Sequence, residues 1–193
     1  MKFFNFFLIA IFSFHLAYAS SAKEAKEFVN QIAEEVLLIV SDREMNDSTK
    51  ELKLSELFKH SVDIKWIGRF ALGRFAKIIT PEQQVKYEEL FEKLLIDNYI
   101  PNFKKYTKES FNIVNVISSG SGEFLVQTEI IRPDKNNLKV DYAIKTSKDN
   151  KYQIFDIVAE GVSLISTQRN EYSSILSQHD IDYLIQELAK KLN

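Results

Sequence analysis

The spacing of apolar residues changes twice along this chain, and those changes fix the order of its layers. Up to about residue 103 apolar residues recur every three or four positions. From Phe111 they recur at every second position, and past Gly161 the longer spacing returns. A period near 3.6 lines one stripe of a helix, and a period of 2 lines one face of a strand. The order is therefore helices, then consecutive strands, then helices. Strands joined by short turns form an antiparallel meander, and helices on both sides of it in sequence make an α+β domain.

The elements follow from local signals. Phe28, Ile32, Val36 and Val40 share one stripe of a helix expected over Ala22 to Val40, and Val29, Ala33 and Leu37 widen it. The polar run Ser41 to Leu52 ends that helix, and Leu54 to His60 reads as a short one. Asp63 is placed to cap a third, with Ile64, Ile67, Phe70, Ala71, Leu72 and Phe75 as its apolar positions. Thr80-Pro81-Glu82-Gln83 combines a cap, a proline at the first helical position and a capping box. Leu90, Phe91, Leu94 and Leu95 lie on the apolar face of the long helix that follows. Tyr99, Phe103 and Tyr106 extend that face past a kink expected at Pro101.

Four strands follow. In the first, Phe111, Ile113, Asn115 and Ile117 alternate with Asn112, Val114 and Val116. Ser119 to Gly122 turns the chain. Phe124, Val126, Thr128 and Ile130 then share a face. After the turn at Pro133 to Asn137, Val140, Tyr142 and Ile144 share another. Lys148-Asp149-Asn150 is a hairpin turn before the fourth strand, Tyr152 to Val158. Gly161 ends the sheet. Helices are expected over Ser163 to Leu176 and Asp180 to Leu192, with the helices covering one face of the sheet.

The first residues read as an export signal. Lys2 supplies the positive start, Phe3 to Leu16 the apolar run, and Ala17-Tyr18-Ala19 the small-residue cleavage pattern, with the cut after Ala19. The alternative is an uncleaved anchor, but the run falls short of the ~20 apolar residues that span a bilayer. Removing 19 residues from 193 leaves 174, a single domain over residues 20–193. The cut takes away one lysine and no acid, so the formal charge moves from −2 to −3. That balance gives no general pull toward nucleic acid. With no cysteine there is neither a disulfide framework nor a thiolate metal site.

Catalytic chemistry is thinly represented. His60 and His179 are far apart in sequence and lack metal-ligand spacing. There is no Gly-x-Ser-x-Gly elbow and no phosphate loop, and Gly120 and Gly122 fit a hairpin. Asp134 and Asp141 read as turn and strand acids. Two features stand out. Lys65, Arg69, Arg74 and Lys77 flank a very apolar helix face: a solvated surface, or a cationic rim for a phosphate or an acidic partner. Trp66, Phe70, Phe75, Tyr87, Phe91, Tyr99, Phe103 and Tyr106 crowd two helices, as core or as one wall of a large apolar pocket.

Three segments resemble the MlaC, or toluene-tolerance, family of periplasmic phospholipid-binding proteins. The first is Phe58-Lys59-His60 with Ile64-Lys65-Trp66-Ile67-Gly68-Arg69-Phe70-Ala71-Leu72-Gly73-Arg74-Phe75 and Thr80-Pro81-Glu82-Gln83-Gln84. The second is Thr128 to Asp134 with Val140-Asp141-Tyr142. The third is Tyr152 to Leu164 with Thr167-Gln168-Arg169-Asn170-Glu171-Tyr172. The resemblance implies a non-enzymatic periplasmic carrier holding one phospholipid between sheet and helices. It implies shuttling between an outer-membrane lipoprotein–porin complex and an inner-membrane ABC transporter, which maintains outer-membrane lipid asymmetry.

No cofactor is implied beyond the phospholipid cargo, no metal and no catalytic residue, and the chain is expected to act as a monomer. Moving a diacyl lipid into water exposes roughly 30 methylenes at ~0.8 kcal/mol each, on the order of 24 kcal/mol. The expected lining is Trp66, Ile67, Phe70, Phe91, Leu94, Leu95, Tyr99, Phe103, Val126, Ile130, Val140, Tyr142, Ile144, Ile154 and Val162. Arg69, Arg74 and Arg132 are expected at the mouth, near the head group, since a phosphate is costly to bury unpaired. The competing readings are a small pocket enzyme, for which Asp141 and Asp156 are the residues to test, and an interaction module with a closed core.

Overall fold

A computed structural model describes residues 13–103, 109–133, 135–147, 149 and 151–192, with side chains described from Ser21 onward. The elements run α1 (Ser13–Ser41), α2 (Asp47–Ser61), α3 (Ile64–Leu72), a 3₁₀ segment (Gly73–Lys77) and α4 (Pro81–Phe103). They continue with β1 (Ser110–Gly120), β2 (Glu123–Ile131), β3 (Leu138–Thr146), β4 (Tyr152–Ala159), β5 (Val162–Ser163), α5 (Leu164–Leu176) and α6 (Ile181–Lys191). The sheet is an antiparallel meander in the order β1-β2-β3-β4-β5. The expected layers and their order are those observed.

The helix starts follow the capping chemistry. Asp63 Oδ1 accepts the Trp66 N–H at 3.1 Å. Thr80 and Gln83 exchange bonds, Gln83 N–H to Thr80 Oγ1 at 3.2 Å and Thr80 N–H to Gln83 Oε1 at 3.1 Å. Helix α2 starts earlier than its apolar residues suggest, because Asn46 Oδ1 accepts the Thr49 N–H at 2.9 Å. The α1–α2 connection is equally local. Asp42 Oδ1 accepts the N–H groups of Glu44 and Met45, and Lys50 Nζ donates to the Val40 carbonyl at 2.9 Å. Pro101 lies inside α4, two residues from its end at Phe103. Tyr106 and Asp134 lie outside the described residues.

Three details of the sheet depart from strict alternation. A bulge between Ile113 and Asn115 shifts the parity of β1, so Val116 points inward while Val114 and Ile117 are exposed. A two-residue fifth strand exists because Glu160 and Gly161 take positive φ (49° and 81°). They fold the chain back so that Val162–Ser163 pairs with Val158–Ala159. Gly161 thus turns the sheet and does not end it. A second bulge sits where Ala143 pairs with Asp156 and Ile144 with Ile154. The buried Asp156 carboxylate mends it, accepting from Ile157 N–H (2.8 Å), Ile165 N–H (3.2 Å) and Ser163 Oγ (2.6 Å). These bonds fasten β4 to the start of α5. One of the two candidate acids of the enzyme reading, Asp156, is therefore occupied in holding the fold.

The helices cover the face carrying Phe124, Val126, Thr128, Val140, Ile144 and Ile154, all buried. The main core joins this face to α3, α4, α5 and α6. A smaller cluster of Ile39, Val40, Leu54 and Ile100 forms separately where α1, α2 and α4 meet.

Candidate functional site

The two buried clusters do not merge, and a hollow lies between them. Its roof is built from the broad stripe of α1, namely Val29, Ile32, Ala33, Val36 and Leu37, and from Leu54, Leu57, Phe58 and Ser61 of α2. The spacing of these residues puts them on one face of each helix. The floor is the sheet: Ile130 of β2, Val140 and Tyr142 of β3, Ile154 and Ile157 of β4, with Phe111 and Leu138 at the strand starts. The cavity measures about 260 Å³. Among the described residues its polar lining is Ser61, Tyr99, Glu109, Ser110 and Tyr142, and Glu109 and Ser110 stand together at the start of β1.

A second space of about 80 Å³ adjoins the first, sharing Phe58, Val62, Tyr99, Phe103, Ile154, Ile157 and Leu164 with it. It reaches inward to Ile67, Phe91 and Leu95 and outward to Gln168. Burial raises the Tyr99 hydroxyl above its ordinary value, so this wall stays uncharged through neutral and moderately alkaline pH.

Beyond Phe91 the space closes. Tyr87 and Phe91 stack with centroids 5.5 Å apart, and Tyr172 meets both edge-on at 6.2 and 6.3 Å. Close packing here requires Gly68: a Cβ would fall 3.1 Å from Phe91 Cδ1, and Tyr87 Oη donates to the Gly68 carbonyl at 2.9 Å. The Tyr172 hydroxyl is buried with no hydrogen-bond partner among the described residues, and burial raises its pKa.

The structure divides the expected lining residues into five groups. Tyr99, Phe103, Ile130, Val140, Tyr142 and Ile154 face the larger cavity, and Ile67, Phe91 and Leu95 face the smaller. Leu94, Val126 and Ile144 are buried in the packed core and line neither, because helix and sheet are already in contact there. Trp66 and Phe70 turn away from the hollow. Trp66 stacks on Phe70 (5.2 Å), meets Phe155 edge-on (5.3 Å) and carries Lys145 Nζ over its face at 4.1 Å. Val162 is 57% exposed, since the reversal at Gly161 puts it on the sheet's edge.

The expected mouth arginines also separate. Arg69 and Arg74 are exposed on α3 and the 3₁₀ segment and line neither cavity. Arg132 lies two positions beyond Ile130, at the end of the floor, where its Nε donates to the Asn136 carbonyl at 2.6 Å. The residues missed in sequence are the roof. Their signal was the unusual width of the α1 stripe, which reads equally well as ordinary core.

Among the described residues, no group of three or more His, Cys, Asp or Glu side chains is placed to hold a metal ion. His60 Nδ1 sits 2.8 Å from the Glu56 carbonyl and His179 stacks on Tyr183, so both histidines have local partners.

An open antiparallel sheet whose helices stand off one face around an apolar hollow defines a class of α+β pocket domain. Comparison with known proteins narrows the class. The sequence profile of the MlaC protein family matches residues 30–190, and the chain belongs to that family. A solved phospholipid-binding protein from Ralstonia solanacearum, in complex with a phospholipid, has the same fold. It aligns with a TM-score of 0.77 at 22% identity, covering 86% of this chain and 95% of that one. The intermembrane phospholipid transport system binding protein MlaC of Haemophilus influenzae is 24% identical over 132 residues, 67% of this chain. The alignment spans 62% of that relative's length.

Proposed function

We propose that this chain is a phospholipid carrier whose cargo lies with its acyl portion in the hollow beneath α1 and α2 and its head group at the Glu109–Ser110 side. The observation that carries this reading is the apolar cavity of about 260 Å³, roofed by two helices and floored by the sheet. By itself it lies just under the ~300 Å³ where ligand pockets begin, and the adjoining 80 Å³ brings the joined space past that mark. A diacyl cargo is larger than this joined space, so it is held in full only where the roof helices stand further off. The Ralstonia solanacearum relative of the same fold, with its phospholipid, supports the reading.

The cellular role we infer is movement of lipid between an outer-membrane lipoprotein–porin complex and an inner-membrane ABC transporter, by a monomer in the periplasm. Cleavage after Ala19 fits this role: among the described side chains of α1 the first buried one is Ala25, and the Tyr152 hydroxyl donates to the Ser21 carbonyl, so these contacts survive the cut. No helix among the described residues is long and apolar enough to cross a membrane.

The test is organic extraction of the purified mature chain followed by mass spectrometry. The expected result is co-purified phospholipid near one molecule per chain. Lipid-free protein that also fails to take up phospholipid from vesicles would overturn the proposal.

A further inference from the structure

Residues 64–81 carry Lys65, Arg69, Arg74 and Lys77 and no carboxylate, in a chain whose formal charge is −2. The fold gathers these four cations with a fifth from a different part of the sequence. Arg169 of α5 lies over the Phe70 ring at 4.6 Å, and its Nε would stand 3.3 Å from a Cβ at Gly73. Arg74 in turn lies over Phe75 at 4.9 Å. All five cations are exposed, and none pairs with a carboxylate among the described residues. The neighbouring carboxylates are already engaged: Asp63 with Lys145 at 3.0 Å, and Glu171 with Lys191 at 2.7 Å.

Lys65 and Arg69, one turn apart, flank an open depression lined also by Asp63, Trp66 and Phe70. Like charges at that spacing repel slightly, and five uncompensated cations on one face cost stability in the free protein. The stacked rings hold the two arginines in place, so little side-chain freedom remains to be lost on binding. Ile78, next to Lys77, is 68% exposed and adds an apolar contact. Arginine and aromatic residues around a small apolar spot match the composition of protein-binding surfaces.

We infer that the face formed by α3, the 3₁₀ segment and α5 docks an acidic protein surface, one presenting several Asp or Glu side chains beside an apolar residue. A membrane is the less fitting occupant: two of the five cations are arginines held over rings, and the rest of this acidic chain is repelled by anionic lipid. The face is separate from both cavities, so the inference stands or fails independently of the cargo.

The experiment uses the mature chain and a synthetic peptide alternating glutamate with leucine, followed by NMR amide shifts. A parallel arm uses phosphatidylglycerol vesicles in a sedimentation assay. Peptide-induced shifts are expected on residues 64–78 and around Arg169. Affinity should fall at least about tenfold in Arg69→Glu/Arg74→Glu, fall with added salt, and be unchanged in Lys26→Glu on α1. Lys65→Glu/Lys77→Glu, at two exposed positions, supplies the same reading should the arginine variant melt early. Shifts scattered over the surface, unchanged affinity in a folded charge-reversed variant, or vesicle binding through these residues without peptide binding would each overturn the inference. Lipid content, measured on the same samples, reports separately on the carrier reading.

Discussion

The two ends of the helix–sheet layer are made of similar residues and do opposite things. At the end of α3, α5 and α6, Tyr87, Phe91 and Tyr172 fit against one another and against Gly68. At the end of α1 and α2, Val29, Ala33, Val36 and Leu57 face the sheet across open space. The difference lies in side-chain length and shape more than in hydrophobicity. At one end large rings from facing elements meet and close the layer, whereas at the other the roof is mostly mid-sized aliphatic residues with an alanine, and the rings Phe58, Tyr99, Phe111 and Tyr142 border the space without filling it. Apolar composition alone therefore cannot separate a packed core from an open hollow.

The contrast predicts unequal costs for equal changes. Leu184 is fully buried at the packed end, so Leu184→Ala should lose about 2–5 kcal/mol in urea unfolding. Val36→Ala at the roof should cost well under that, since its neighbours already border a void. Equal losses would erase the distinction. Next in size is Asp156→Ala, which strands the N–H groups of Ile157 and Ile165 and should cost about 1–3 kcal/mol by the same measurement.

Filling the hollow should separate stability from function. Ala33→Phe adds a ring where there is room, so unfolding free energy should move by less than about 1.5 kcal/mol. Extracted lipid per chain should fall severalfold in mass spectrometry; unchanged lipid content would remove α1 from the proposed site. The smallest expected effect is at Tyr172, whose buried hydroxyl lacks a partner among the described residues. Tyr172→Phe should leave the chain as stable or up to about 1 kcal/mol more so in the same denaturation assay.

Much of this architecture was legible from period and caps. The change of spacing at Phe111 separated helices from sheet, and Asp63 and Thr80 marked helix starts at the residues where the capping bonds form. The bulge at Val114 was not legible, because the four β-branched residues Ile113, Val114, Val116 and Ile117 and the two asparagines along β1 satisfy either parity. Nor was β5, which depends on the backbone reversal at Glu160 and Gly161. The lining of the hollow was legible only in part. Alternation and helical spacing put Ile130, Tyr142, Ile154 and Tyr99 on faces that border it. Trp66 and Phe70 do not border it, because aromatic content says nothing about which side of α3 faces the hollow. Leu94, Val126 and Ile144 lie in packed core, because a face shared by two elements can close at one level and open at another.

The bond from Lys50 to the Val40 carbonyl, with the Asp42 turn beside it, ties the end of one roof helix to the beginning of the next. The two roof helices are thereby joined at residues 42–46, while α2 is also held to α4 by the Lys59–Glu92 ion pair at 2.6 Å. For the roof to lift, that crossing bond has to open or α4 has to follow, and deuterium uptake along residues 29–58 would record how often this happens.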